Sequence, residues 1–327
     1  MIRSMWSAVS GLRTHQIYLD VTGNNIANVN THGYKSTRAV FEDSLSQVVR
    51  NAAAPNANNG VGGMNPTQIG LGVKLGQILG NFTQGGLQVT NVATDIAIQG
   101  DGFFIIDKGG EKFYTRNGAF SLDKNGDLVT SDGSYVQGWM NTEIGEVDDP
   151  PDADTEPGWV MVAIDHNVAV EGVDGEDRPD MDEETGRVGE ADGIVHTGKV
   201  NISVDKWQSF QIAPDGTVSG VMVGDSTGTL RTIGQIALAK FNNPPGLDRV
   251  GGTMFAVTLN SGEPFVTNPA NRLANMGLVT SGTLELSNVD LAGEFTNLIM
   301  AQRGFQANSK IVTASDEVLQ DLINMKR

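Results

Sequence analysis

Apolar residues at both ends of the chain recur every three or four positions, which is the spacing of one face of a helix. Near the N-terminus the series is Ile2, Met5, Val9, Leu12 and Leu19, with polar Gln16 filling its gap. Near the C-terminus it is Phe295, Leu298, Phe305, Val312, Leu319 and Ile323, with Gln302, Ser309 and Asp316 at the other positions. Both series follow a heptad. The pattern predicts two amphipathic helices, and we expect them to pair as a coiled coil.

Helices of this length gain too little from their apolar faces to stand alone in water. Burial of five apolar side chains offsets only part of the conformational entropy that is lost when about 20 residues become ordered, even with the helix hydrogen bonds added. The helices therefore either pack on a globular core or become fully ordered only against other chains. We favour the second alternative, which indicates a polymer.

Between the ends, short apolar runs alternate with glycine, which is typical of strands joined by tight turns. The runs are FFIID (Phe103–Asp107), KFYTR (Lys112–Arg116), LVT (Leu128–Thr130), YVQGW (Tyr135–Trp139), GQIALAKF (Gly234–Phe241) and TMFAVTL (Thr253–Leu259). One spacing of Phe, aliphatic, Gly and aliphatic residues occurs twice, at Phe120–Leu128 and Phe210–Val218. Asn125-Gly126 and Asp215-Gly216 lie inside these repeats and predict two hairpin turns.

These patterns predict an α+β fold, mainly β, with discontinuous β-rich domains strung between the two terminal helices. Residues 1–45 and 283–327 are expected to form a terminal helical domain, and 46–69 a linker. Residues 70–140 and 198–282 are expected to form a central β-rich domain. Residues 141–197 form an acidic insertion.

Most of the negative charge belongs to that insertion. The chain has a net charge of −17, and between Glu143 and Asp192 it has 18 Asp and Glu residues against two arginines. A chain without a basic surface is not expected to bind nucleic acid. No apolar run approaches the length of a membrane span, so we expect no membrane insertion. The N-terminus lacks the apolar core of a signal peptide, so any export is expected to use a route without a cleaved signal.

Enzyme motifs are weak in this sequence. The run Asp123–Asp127 resembles part of a calcium loop but lacks the further ligands and the glutamate of an EF-hand. The four histidines form no ligand pair at helical or hairpin spacing, and there is no cysteine. Gly70–Gly76 misses the dinucleotide fingerprint by one residue. We therefore expect no enzymatic activity, no metal site and no cofactor.

Four blocks of sequence, in order, resemble the bacterial flagellar rod and hook family. They are LDVTGNNIANVNTHGYKSTRAVFED (Leu19–Asp43), IAIQGDGFFII (Ile96–Ile106), TRNGAFSLDKNGDLVTSDGSYVQGW (Thr115–Trp139) and the C-terminal block Glu285–Arg327, which contains SNVDL and AQRGFQANSK. The resemblance implies that the terminal helices line the inner wall of a tubular homopolymer, with the β domains outside. It also implies export through the flagellum's own channel. The implied partners are further copies of the chain, the flagellar rod, the hook cap, the hook–filament junction proteins and the export apparatus.

Two kinds of subunit in this family fit the sequence, a bendable hook subunit and a stiff distal rod subunit. MIRSMW (Met1–Trp6) and FEDSLSQ (Phe41–Gln47) are rod-like. NPTQIGLGVKLG (Asn65–Gly76), VQGW (Val136–Trp139) and LAKFNNPPGLDRVGG (Leu238–Gly252) favour a hook subunit, as does an inserted outer domain. We expect a hook subunit in the flagellar hook or basal body, with a distal rod subunit as the alternative. A secreted β-rich adhesin is a more distant alternative.

Asparagines cluster where the first helix is expected to end, at Asn24, Asn25, Asn28 and Asn30. Asparagine is unfavourable inside a helix because its amide competes for backbone hydrogen bonds. In a homopolymer, an amide can both donate to and accept from a neighbouring copy, whereas like charges would repel. We expect these asparagines to cap the helix and bridge copies; alternatively, they only end the helix and turn the chain at Gly33. The predicted polymer interface consists of the four asparagines with Met5, Val9, Leu12, Leu19, Phe295, Leu298, Phe305, Val312, Leu319 and Ile323.

Overall fold

The computed structural model describes residues 2–52, 54, 63–140, 181–182, 187–188, 198–203, 206–224, 228–271 and 276–325. In these residues, two long helices flank a series of strands. Helix α1 spans Ile2–Ala27 and helix α2 spans Leu291–Met325. Both predicted terminal helices and the mainly β fold class are confirmed. Most of the predicted acidic insertion, and the middle of the predicted linker, lie outside the described residues.

The described residues contain 23 strands, which are numbered here in chain order. They are β1 (Thr37–Asp43), β2 (Ser46–Arg50), β3 (Thr67–Gly70), β4 (Val73–Gly80), β5 (Leu87–Val89), β6 (Ile96–Gln99), β7 (Phe103–Lys108), β8 (Glu111–Thr115), β9 (Ser121–Leu122), β10 (Leu128–Val129), β11 (Tyr135–Met140), β12 (Met181–Asp182), β13 (Arg187–Val188), β14 (Gly198–Lys199), β15 (Trp207–Ile212), β16 (Thr217–Met222), β17 (Leu230–Ile236), β18 (Leu238–Lys240), β19 (Asp248–Gly251), β20 (Met254–Ala256), β21 (Phe265–Thr267), β22 (Leu278–Ser281) and β23 (Thr283–Glu285). A short 3-10 helix spans Pro244–Gly246.

The chain divides into two compact units. The helical unit comprises Met1–Asn30, Lys35–Thr83 and Asn288–Arg327. The β unit comprises Thr31–Tyr34 and Gln84–Ser287. In the helical unit, β1 pairs with β4 and β2 pairs with β3, so the two ends of region 46–69 meet as an antiparallel ribbon.

The β unit is built around one large antiparallel sheet. Eight of its strands follow the order β15-β16-β17-β11-β7-β8-β20-β19, and β9, β10, β14, β18 and β21 attach beside them. Large apolar side chains from the central strands are fully buried in its core, among them Phe104, Ile106, Val136 and Ile236. This burial of apolar surface is the main source of stability for such a unit.

The two predicted hairpins are present in the β unit. Strands β9 and β10 pair around Asn125-Gly126, and β15 and β16 pair around Asp215-Gly216. Both turn glycines have positive φ, +84° at Gly126 and +78° at Gly216. Glycine adopts this backbone conformation without a steric penalty, which explains the repeated spacing.

A buried ion pair that local sequence patterns did not reveal also holds the β unit together. Arg116 Nη1 lies 3.5 Å from Glu285 Oε2, and both side chains are almost fully buried. The other carboxylate oxygen of Glu285 accepts a hydrogen bond from the Gly85 N–H (2.8 Å), and its backbone carbonyl accepts one from the Gly33 N–H (2.8 Å). Burial lowers the pKa of Arg116, and the Glu285 carboxylate opposes that shift. Glu285 therefore joins three separate stretches of chain.

Candidate functional site: the surface of the helical pair

Helices α1 and α2 pack against each other in an antiparallel direction with a constant register. Asn25 Nδ2 donates a hydrogen bond to Glu294 Oε1 (3.0 Å) at one end of the contact. Further along, His15 lies against Gly304, and Gly11 lies against Asn308. Residue numbers therefore rise along one helix as they fall along the other. Among the described residues, neither helix is both long and apolar enough to cross a membrane.

The buried positions of this pair carry small or polar side chains. They are Ala8, Gly11, Thr14, Thr22 and Asn25 on α1, and Ala301 on α2. A Cβ at Gly304 would overlap the His15 ring, and a Cβ at Gly11 would lie 2.8 Å from Asn308 Nδ2. The helices thus approach closely because small residues line the contact.

The larger apolar residues that the sequence placed in the interface lie beside this contact or in solvent. Met5, Val9, Leu12, Leu19, Leu298, Val312 and Leu319 are half-buried. Phe295, Phe305 and Ile323 expose 51%, 38% and 67% of their surface. The apolar series therefore flanks the small-residue contact, and part of it is available to another chain.

Further large apolar side chains, absent from the predicted interface, are exposed on both helices. Trp6 on α1 is 65% exposed. On α2 the additional exposed residues are Leu291, Ile299, Met300, Ile311, Val318, Leu322 and Met325. The last four of these are three to seven positions apart, so a second helical series was visible in the sequence beside the first.

The predicted asparagines have different environments. Asn25 is buried, and its amide donates to the Thr37 carbonyl (2.7 Å) while its Oδ1 accepts from the Thr37 N–H (3.0 Å). Asn28 Nδ2 donates to the Asn24 carbonyl (2.9 Å) and to Asn24 Oδ1 (3.1 Å). Asn24 and Asn30 are exposed. Asn25 therefore connects α1 to β1 and α2 within one chain, whereas Asn24 and Asn28 form a pair at the surface of the helix end.

A second amide arrangement, at half-buried Asn288, was missed by sequence reasoning because its partners are distant in the chain. Asn288 Oδ1 accepts from the Ser36 N–H (2.7 Å), and its Nδ2 donates to the Asn81 carbonyl (2.8 Å). On α1, Tyr18 packs edge-on against Phe41 with 5.5 Å between ring centroids. Burial raises the pKa of Tyr18, and the nearby Glu294 carboxylate raises it further. These contacts fix β1 and α2 on α1 and leave the opposite faces of both helices open.

The arrangement suits association with other protein chains. Large apolar groups gathered on an exposed surface are typical of an interaction site. In the part of the chain that the structure describes, no three His, Asp or Glu side chains group as a metal site would require. The fold and this surface define a subunit whose two terminal helices expose large apolar side chains.

Comparison with known proteins gives the family. Residues 5–35 match the family model "Flagella basal body rod protein", residues 97–171 match "Flagellar hook protein FlgE/F/G D1 domain", and residues 280–325 match "Flagellar basal body rod FlgEFG protein C-terminal". The flagellar basal-body rod protein FlgG of Bacillus subtilis is 39% identical over 327 residues and is matched along the full length of both chains. The chain therefore belongs to the family of bacterial flagellar rod and hook proteins.

Hook proteins are among its relatives as well. The flagellar hook protein FlgE of Borreliella burgdorferi is 32% identical over 445 aligned residues, along the full length of both chains. The flagellar hook protein FlgE of Helicobacter mustelae is 51% identical over 146 residues, which are 44% of this chain and 32% of that relative.

Proposed function

We propose that this chain is the structural subunit of a flagellar hook, a curved and flexible tube that transmits torque from rod to filament. The exposed apolar surface of α1 and α2 carries the proposal, because such a surface needs a partner in water. In the assembled tube, the two helices pair as a coiled coil, and the predicted interface residues contact further copies. The rod, the hook cap and the hook–filament junction proteins are its neighbours, and the flagellum's own channel exports it.

The position of the acidic segment favours a hook subunit. In the β unit, Gly138 of β11 pairs with Gly198 of β14, so the chain leaves the sheet and rejoins it at neighbouring strands. This pairing supports an inserted outer domain at residues 141–197, between the two parts of the central β-rich domain, 70–140 and 198–282. Its 18 carboxylates would make neighbouring copies repel, and like-charged surfaces slide past one another more easily than broad apolar ones. Sliding of outer contacts is what a bending tube requires.

Similarity to known proteins supports a hook subunit and a distal rod subunit alike. The highest identity among the relatives described above is with a hook protein, over 146 residues. The 39% identity with a rod protein along both full chains favours a distal rod subunit as the second candidate.

Electron microscopy of basal bodies from a strain that lacks this gene tests the proposal. A complete rod that ends without a hook is the expected result. A truncated rod would establish the distal rod subunit instead. Normal flagella would contradict both assignments.

A further inference from the structure

Two asparagine–glycine pairs lie in the described part of the β unit, Asn117-Gly118 and Asn125-Gly126. In such a pair, the backbone nitrogen of the glycine can attack the side-chain carbonyl carbon of the asparagine, because glycine has no Cβ that hinders the approach. Ammonia leaves, and water opens the resulting cyclic imide to aspartate or isoaspartate. The two pairs are chemically alike, so their surroundings decide which of them reacts in the folded chain.

The hydrogen bonds of the β9–β10 hairpin hold Asn125-Gly126 in place. The Gly126 N–H donates to the Asp123 carbonyl (3.1 Å), so the attacking nitrogen is engaged. The Asn125 N–H donates to Asp123 Oδ1 (2.8 Å), and the Asn125 carbonyl accepts from Asn201 Nδ2 (3.0 Å). The Gly126 carbonyl accepts from the Ile202 N–H (2.6 Å). Cyclisation at Asn125 therefore requires the hairpin to open.

Asn117-Gly118 lies in a loop whose hydrogen bonds leave the reacting groups free. Asn117 Oδ1 accepts from the Ala119 N–H (3.2 Å). This bond closes a ring of atoms that contains both Asn117 Cγ and the Gly118 nitrogen, which keeps these two atoms near each other. Within the described part of the chain, neither the Gly118 N–H nor Asn117 Nδ2 forms a hydrogen bond. The attacking nitrogen and the leaving amide are thus both unconstrained.

The same loop has three further features that favour the reaction. The Ala119 N–H already donates to the oxygen that becomes negatively charged when the imide forms, and such donors stabilise an oxyanion. Asn117 also lines an open cleft of about 240 Å³, which has room for the water that opens the imide. A Cβ at residue 118 would overlap the Ile96 carbonyl oxygen, so the fold requires glycine after Asn117.

We propose that Asn117 is a deamidation site of the folded subunit and that the hairpin protects Asn125. A base from solvent removes the Gly118 N–H proton, and the nitrogen forms a bond to Asn117 Cγ. The bond between Cγ and Nδ2 breaks, and Nδ2 takes up a proton from water and leaves as ammonia. Water then adds to either carbonyl of the imide and opens the ring, so the reaction consumes one water and releases one ammonia.

The position of Asn117 gives this modification a structural effect. The preceding residue, Arg116, forms the buried ion pair with Glu285, and a Cβ at Gly33 would lie 2.5 Å from the Asn117 nitrogen. Isoaspartate adds a methylene group to the backbone at this closely packed point, and packed interiors do not absorb such a group without strain. The modified β unit is therefore less stable than the unmodified one, and subunits lose stability as they age.

Incubation of the soluble subunit at mildly alkaline pH, with and without urea, tests the assignment. Chymotrypsin cleaves after Phe120 and so places the two asparagines in separate peptides, and mass spectrometry measures a gain of about 1 Da at each site. In the folded protein, Asn117 should react at least about tenfold faster than Asn125, because only Asn125 must wait for local opening. In urea, the two rates should agree within about twofold, since both surroundings are lost.

Rates at the two sites that agree within about threefold in the folded protein would overturn the proposal, as would a folded rate at Asn117 more than about 100-fold below its rate in urea. These comparisons use the wild-type chain, so they do not depend on the folding of a variant. Asp123→Ala removes the acceptor of the Asn125 and Asp127 N–H groups and should raise the rate at Asn125 about tenfold, with Asn117 unchanged. An unchanged rate at Asn125 would overturn the protection by the hairpin.

The structural effect has a separate readout. Deamidation adds a negative charge, so ion-exchange chromatography separates chains modified at Asn117 from unmodified chains. The modified chains should unfold at a lower urea concentration than the unmodified chains. Equal midpoints of urea unfolding would overturn the loss of stability.

Discussion

The β unit has a buried core of large apolar side chains, whereas the buried apolar side chains among the described residues of the helical unit are alanines. In the β unit, Phe104, Ile106 and Ile236 are fully buried (0% exposed), whereas in the helical unit Phe295 and Ile323 are largely in solvent. Burying such a side chain contributes about 1.5 to 3 kcal/mol. The β unit therefore obtains this stabilisation within the chain, whereas the helical unit leaves part of it unused. We propose that contacts between copies supply the rest, so that folding and assembly are carried by different regions of one molecule.

The largest expected effect on the free energy of unfolding comes from a core change in the β unit. Phe104→Ala removes a fully buried ring and should lower that free energy by about 3 to 5 kcal/mol. Urea unfolding followed by tryptophan fluorescence measures it. The matched variant Phe295→Ala in α2 should change the free energy by less than about 0.5 kcal/mol. Similar losses from both variants would erase the difference between the units.

Within the helical unit, two asparagines three positions apart should behave differently. Asn25→Asp removes two hydrogen-bond donors and places a carboxylate against the Thr37 carbonyl and Glu294. It should destabilise the soluble subunit by about 2 to 3 kcal/mol. Asn28→Asp changes a half-exposed amide, so it should weaken the polymer far more than the folded subunit. Urea unfolding and sedimentation of assembled material separate the two effects, and equal losses of subunit stability would contradict this assignment.

A pH-dependent contribution comes from Tyr114 in the β unit. Burial raises the pKa of Tyr114 to about 12, whereas an unfolded tyrosine titrates near 10. Since the folded pKa is higher, this contribution is complete below about pH 10 and is lost as the pH rises towards 12. The contribution of Tyr114 to the free energy of unfolding is at most about 3 kcal/mol, because each unit of difference between the folded and unfolded pKa corresponds to about 1.4 kcal/mol. Above about pH 10, the free energy of unfolding of Tyr114→Phe should fall less steeply with rising pH than that of the wild type. Equal slopes for the two proteins would show that Tyr114 does not cause the pH dependence.

The smallest effect on folding is expected where the effect on assembly is large. Ile323→Ser should change the free energy of unfolding by less than about 0.5 kcal/mol, because the side chain is already exposed. It should nevertheless raise the protein concentration needed for assembly, since a buried contact between copies is lost. Sedimentation across a concentration series measures that threshold. An unchanged threshold would remove Ile323 from the interface.

Local patterns in the sequence were sufficient to predict both helices and the two hairpins. Heptad spacing and positive-φ glycines act over a few residues, so one sequence reveals them. The sequence did not reveal which face of α1 contacts α2, because two series on this helix have a three-four spacing. The Met5–Leu19 series is the more apolar and was chosen for that reason. The contact uses the other series, which contains Ala8, Gly11, Thr22 and Asn25, because small residues let the helices approach closely.

Local sequence patterns could not predict side-chain contacts between distant parts of the chain. Asn25 and Glu294 are 269 residues apart, and Arg116 and Glu285 are 169 apart. A polar side chain gives no local signal of a partner at that distance. The internal role of Asn25 and the buried ion pair therefore required the fold.

Hydrogen exchange of the soluble subunit and of the assembled hook tests the separation of folding and assembly most directly. Amides of β7, β11 and β17 should be protected in both states, because their core is complete within the chain. Amides of α1 and α2 should exchange at least about 100-fold more slowly in the hook than in the soluble subunit, since contacts between copies complete their burial. Equal protection of the two helices before and after assembly would contradict the account.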